Sequence, residues 1–132
     1  MYLLDTDTLI YSLKGWEPVL ENLARHQHAP LRISAVSLME LYYGGYKSER
    51  VAASLASVRR IESAFSILPV DGTISETFGM IKADLESKGT PLQDADLMIA
   101  ATALSNNLVL VTNNEKHFSR IEGLKLENWA RS

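Results

Sequence analysis

Short apolar runs alternate along this chain with longer stretches of helical period, and that alternation restricts it to an α/β fold. The runs are Tyr2-Leu3-Leu4-Asp5, Leu31-Arg32-Ile33-Ser34, Phe65–Val70 and Leu108-Val109-Leu110-Val111. The last is unbroken, as expected of a central parallel strand covered on both faces. Pro69 cannot donate to a ladder, so the third run ends there or lies at an edge. Helical spacing predicts helices over residues 7–14, 17–26, 36–43, 49–63, 73–87 and 94–105. Gly15 separates the first two, Gly44-Gly45 is expected to end the third, and Gly89 the fifth. Residues 124–127 suggest a last short strand. Right-handed βαβ units then give a three-layer α/β/α sandwich around a mostly parallel sheet. The 132 residues fit one domain, 1–132, with one core.

Acids stand at telling places in this pattern. Asp5 closes the first strand, and Asp7 follows it. In open α/β sheets the carboxyl edge is where ligands bind. Glu40 lies among Val36, Leu38, Met39 and Leu41, and Asp96 precedes Leu97-Met98-Ile99-Ala100-Ala101. Carboxylates brought together repel and lose hydration, so something positive should hold them. A hard divalent cation, Mg²⁺ or Mn²⁺, is the simplest candidate, because it prefers oxygen ligands. Such an ion lowers the pKa of a bound water and offsets charge on a phosphodiester.

Each acid also has an ordinary reading. Asp5 is a suitable N-cap for the first helix. Ser37-x-x-Glu40 fits a capping box, although the apolar pattern starts that helix by Val36 and leaves Glu40 in mid-helix. Asp94 is assigned as the N-cap or first-turn acid of the Ala-rich helix. Thr112-Asn113-Asn114 follows the last long strand, where its hydroxyl and amides either orient a water or phosphate or form a simple turn.

Composition narrows the classes. The absence of cysteine excludes disulfides, thiolate catalysis and cysteine–zinc sites, and agrees with a cytoplasmic location. The amino-terminal segment, with Asp5 and Asp7, does not read as a signal peptide, and no apolar run approaches the ~20 residues of a membrane span. Lys and Arg number 13 against 16 Asp and Glu, a net charge of −3. That argues against a protein that coats nucleic acid, but not against a nuclease whose metal supplies charge locally. His26-x-His28 is a poor ligand pair, since residues i and i+2 do not share a helix face. Trp16, Tyr42, Tyr43 and Tyr46 read as core or dimer packing.

The ordered motifs resemble those of PIN-domain ribonucleases. Leu3-Leu4-Asp5-Thr6-Asp7 resembles their opening. Ile33-Ser34-x-x-Ser37-x-x-Glu40-Leu41 and Gly89-Thr90-Pro91-x(4)-Asp96-x-Met98-Ile99-Ala100 resemble their second and third motifs. Leu110-Val111-Thr112-Asn113-Asn114-x-x-His117-Phe118 resembles the fourth, and Leu126-Glu127-Asn128-Trp129 a frequent tail. The subgroup it is most similar to is the VapC toxins of toxin–antitoxin pairs. The resemblance implies a Mg²⁺-dependent endoribonuclease acting on RNA, held inactive by a VapB-like antitoxin and usually homodimeric. By position, Asp5 and Asp96 would be the main metal ligands, Glu40 would complete the site, and Ser37 would support it. Asp7 stands where Asn is usual, and Asn114 where many members have a fourth acid.

Two other readings stay open. Asp5-Thr6-Asp7-Thr8 is also similar to the first motif of haloacid-dehalogenase-type phosphatases, where Asp5 would be the nucleophile. A non-catalytic binding domain would use the acids only as helix caps.

Overall fold

Each apolar run finds a parallel neighbour. The computed structural model describes residues 1–131. Its order is β1 (Tyr2–Leu4), α1 (Thr6–Leu13), α2 (Glu17–Arg25), β2 (Leu31–Ser34), α3 (Ala35–Lys47), α4 (Val51–Ala64), β3 (Ser66–Leu68), α5 (Gly72–Ser87), α6 (Asp94–Ser105), β4 (Val109–Val111), α7 (Glu115–Phe118) and β5 (Leu126–Glu127). The strands form one sheet in the order β3-β2-β1-β4-β5, and all four pairings are parallel. β3 is an edge strand and stops at Leu68, before Pro69, as the missing N–H requires.

The pleat sends successive side chains to opposite faces. Leu3 and Leu110, paired in register, join a core with α5, α6 and α7. Leu4 and Val111, one step on, join a second core with α1, α2, α3 and α4. Helices therefore cover both faces, and the sandwich expected from the sequence is formed.

The chain folds back between β1 and β4. β1 leads to β2 and β3 on one side, and the crossover through α5 and α6 returns the chain to β4 on the other side of β1. This switch point opens a crevice at the carboxyl ends of the central strands, which is where such sheets bind ligands. Asp5 follows β1 there and Thr112 follows β4, and the Asp5 N–H donates to Val111 O at 2.9 Å.

Several boundaries differ from expectation. α3 does not end at Gly44-Gly45 but continues to Lys47. Gly45 is buried against α4, where a Cβ would come within 3.0 Å of Leu55 Cδ2. The glycine serves close helix packing there, not termination. α3 is also less enclosed than its apolar pattern suggests: Met39, Tyr43 and Tyr46 are 61%, 67% and 65% exposed, so Tyr43 and Tyr46 are not core residues of this chain. Gly89 does follow the end of α5, with φ at +72°. Asp94 is, as expected, a first-turn acid of α6, which Gln93 caps, and it pairs with Lys82 at 2.9 Å. α7 had no helical signal, being a single turn.

The tail closes the far side of the second core. Trp129 is buried and stacks on His26, with ring centroids 4.5 Å apart and planes at 15°, while Tyr2 meets both rings. His26 Nδ1 lies 2.7 Å from Asn22 O, so this histidine is engaged in packing. Among the described residues no helix is long and apolar enough to cross a membrane.

Candidate active site

Asp5 caps α1 and belongs to the candidate site. Its backbone is extended, and its Oδ1 accepts from Thr6 N at 2.8 Å, which caps α1. Its Oδ2 accepts from the Thr112 hydroxyl at 2.8 Å. Both oxygens are thus oriented by fixed donors, one from α1 and one from the end of β4. Asp7 lies one residue into the helix and turns toward the same loop. It accepts from Asn113 N at 3.1 Å and faces the Thr112 hydroxyl at 3.4 Å. Thr112 Oγ1 in turn accepts from Asn114 N, which ties down the Thr112-Asn113-Asn114 loop. Thr8, also buried, donates to Val111 O at 3.1 Å and fixes α1 to β4.

Glu40 reaches the site from α3. The Thr6 hydroxyl, with one proton to give, donates to Glu40 Oε1 at 2.6 Å and meets Ser37 Oγ at 2.9 Å. Ser37 is buried, and Glu40 lies at the open rim. Its position among apolar residues is therefore a correction to the sequence reading: the helix is mid-run at Glu40, but that face looks outward. The capping box is not formed either, because α3 is capped by Ser34, whose hydroxyl accepts from Val36 N at 3.0 Å. Asp96, half-buried in the first turn of α6, approaches from the opposite layer.

Electrostatics bind these acids into one unit. Burial pushes the Asp5 carboxyl from 3.8 up to about 7, and the Asp7 charge and more weakly the Asp96 charge push the same way, against the hydrogen bonds from Thr112 and Thr6. Asp7 is raised by burial, with its hydrogen bonds opposing. Asp96 is raised by burial and by Glu40 and Asp7, with His117 opposing. Among the described residues none of the four acids has an ion-pair partner; the pairs present are Lys82–Asp94, Lys88–Asp84 and Arg131–Glu115. The fold has concentrated negative charge at one point, and only His117, opposite Asp96, offsets any of it.

Such a donor set, all oxygen and uncompensated, suits a hard divalent cation. Among the described residues no three Asp, Glu or His side chains close a ligand shell by themselves. Protein oxygens would fill only part of the shell, which matches the habit of Mg²⁺ to keep waters and take phosphate oxygens in its other positions.

The residues predicted from sequence thus fall in two groups. Asp5, Asp7 and Thr112 share hydrogen bonds, as do Ser37 and Glu40 through Thr6. Asp96 joins them by field alone, and Asn114 lies beside it in an adjoining cavity. The sequence reading missed Thr6 and Thr8 as organisers, Asn113 as the backbone donor to Asp7, and His117 and Arg120 as neighbours of Asp96. His117 carried a signal, since it stands within the fourth motif. Thr6 carried one too, since it stands within the first motif, although threonine after a capping aspartate is ordinary.

Comparison with known proteins bears on the family and the fold. The PIN domain family model matches residues 2–124. The chain is similar to a tRNA(fMet)-specific endonuclease VapC of Salmonella typhimurium, 38% identical over 128 residues, covering 97% of each chain. It is likewise similar to ribonuclease VapC2 of Haemophilus influenzae, 38% identical over 130 residues with 97% of each covered. In structure it resembles a chain of VapBC2 from Rickettsia felis bound to a DNA fragment from their promoter, with a TM-score of 0.92 and 33% identity, over 97% of this chain and 98% of that one.

Proposed function

The chain belongs to the PIN domain family, among its VapC members, and from that premise we propose that it is a metal-dependent endoribonuclease, the toxin of a toxin–antitoxin pair. The observation that carries the metal dependence is the cluster of Asp5, Asp7, Glu40 and Asp96, none of which makes an ion pair among the described residues, with burial pushing the Asp5 carboxyl up to about 7.

Asp5 and Asp96 would hold the cation, with Glu40 completing the site and Asp7 adding charge beside it. A bound Mg²⁺ or Mn²⁺ supplies Lewis acidity toward the scissile phosphate and acidity to an attacking water. The chain's own part is preorganisation. Thr6 N and Thr112 Oγ1 fix both oxygens of Asp5, so its lone pairs are aimed before any ligand arrives. Thr6 and Ser37 hold Glu40 at the rim. Asn113 N anchors Asp7 to the loop after β4. These donors also lower the reorganisation that ion binding would otherwise require.

The relatives named as tRNA(fMet)-specific endonucleases make a tRNA(fMet) transcript the first RNA to test. A VapB-like antitoxin would hold the enzyme inactive, as suggested by the similarity to VapBC complexes. The exposed Met39, Tyr43 and Tyr46 on α3, next to Glu40, form an apolar stripe fit for a second copy or that antitoxin.

The test is cleavage of that transcript, and of total RNA, by the parent, Asp5→Ala and Asp96→Ala over a Mg²⁺ titration, with folding checked by circular dichroism. Loss of cleavage in both folded variants, and on chelation of the parent, is expected. Cleavage by both at the parent rate refutes the proposal. A covalent phospho-aspartate formed from a phosphomonoester would revive the phosphatase alternative.

A further inference from the structure

Asp96 faces two compartments. One is the acid cluster. The other is a cavity of about 280 Å³ lined by Pro91, Leu92, Gln93, Asn114, His117 and Arg120 together with Asp96. The charge changes sign across it: the acids lie on one side of Asp96, and an arginine and a histidine on the other.

The backbone that carries both basic residues is anchored by the core, and their side chains are exposed. Phe118, fully buried, pins the single turn of α7 beneath the cavity. The Arg120 N–H donates to His117 O at 3.3 Å, continuing the turn. Across the cavity, Arg120 Nη1 donates to Pro91 O at 3.3 Å. That is the one side-chain hydrogen bond Arg120 makes among the described residues, out of five N–H groups. It has no carboxylate partner among them either. Most basic side chains among the described residues are likewise without an ion pair; what sets Arg120 apart is its place on this cavity, beside the acidic site, with N–H groups left to meet an anion.

We infer that this cavity seats an RNA phosphate next to the scissile one, with Arg120 and His117 as its donors and Pro91 and Leu92 as the apolar wall for the attached nucleoside. The inference rests on the nuclease reading. A strand crossing the acid cluster brings neighbouring phosphates alongside it, and four carboxylates cannot bind them. Arg120 can, through two parallel N–H groups. His117 offers a ring N–H in either neutral tautomer. Asp96, between the two compartments, would repel the phosphate from its own oxygens and so set the register of the strand.

The experiment uses the full chain, Mg²⁺ and the tRNA(fMet) transcript, and reads KM, kcat and salt dependence for the parent, Arg120→Ala, Arg120→Lys and His117→Gln. Arg120→Ala should raise KM about tenfold, leave kcat within about twofold, and flatten the slope of log(kcat/KM) against log salt by about one. Arg120→Lys should restore the slope but only part of KM, because charge returns without the fork. His117→Gln should raise KM less than Arg120→Ala. Manganese titration heats should match the parent in all three, which a merely structural role for Arg120 at the Pro91 segment would not leave intact.

If the parent cleaves and Arg120→Ala keeps its KM and slope, the inference fails and the nuclease reading stands. The inference fails in the same way if Arg120→Ala weakens only antitoxin binding, or loses its manganese heat. If the parent cleaves no better than Asp96→Asn, the nuclease reading itself falls. Should Arg120→Ala not fold, Arg120→Lys decides alone: unchanged KM overturns the inference.

Discussion

Replacing Asp5 with asparagine should stabilise the cation-free protein near pH 8 and fail to do so near pH 4. The carboxyl is raised from 3.8 to about 7, mostly by burial and then by Asp7. At roughly 1.4 kcal/mol per pH unit, that rise corresponds to about 4 kcal/mol borne by the ionised form. The folded carboxyl keeps its proton to higher pH than the unfolded one, so folding takes up a proton between about pH 4 and pH 7. Stability therefore falls as pH rises through that window and is unaffected below it. Asparagine removes the charge but offers one oxygen where Asp5 uses two, to Thr6 N and to the Thr112 hydroxyl. The lost or reversed bond costs about 1 kcal/mol. The net gain is about 3 kcal/mol near pH 8, and a loss of about 1 kcal/mol is expected near pH 4. Asp5 and Asp7 titrate as a pair, so the transition should be broad. Urea unfolding in chelator across this pH range measures it, provided the slope with denaturant is unchanged. Added Mn²⁺ should shrink the difference, since the ion stabilises the parent preferentially. A gain that stays flat from pH 4 to 8 would mean that Asp5 ionises as an ordinary carboxylate, and uncompensated charge could no longer support the proposal of a cation there.

Other outcomes follow from the same structure. Asp7→Asn should lower the Asp5 carboxyl pKa, seen by NMR titration, and weaken Mn²⁺ binding measured by calorimetry, since it removes a neighbouring charge. Gly44→Ala should stabilise by about 0.5–1 kcal/mol in thermal unfolding, because nothing lies within 4 Å of the added methyl and the residue is helical. Gly45→Ala should gain less or lose, as its methyl meets Leu55 Cδ2 at 3.0 Å; an equal gain at both sites would contradict the packing account. Trp129→Ala should cost about 3–5 kcal/mol in urea unfolding, through loss of the stack on His26 and Tyr2.

The sequence by itself determined the layers, the parallel sheet and the positions of Asp5 and Asp96. Those properties are local: a period of two marks a strand, a period of 3.6 marks a helix, and the residue after a strand lands at its carboxyl edge. It misjudged α3, because an apolar composition does not say which face meets a neighbour; Gly44-Gly45 reads as a stop until α4 is seen against it. Only the tertiary structure decided that Thr112 reaches Asp5 over 107 positions of sequence, that Thr6 holds Glu40, and that His117 and Arg120 adjoin Asp96. Whether a hydroxyl stands within hydrogen-bond reach of a carboxylate or well outside it depends on strand register and on the side of β1 to which the crossover returns, and no window of neighbouring residues encodes either.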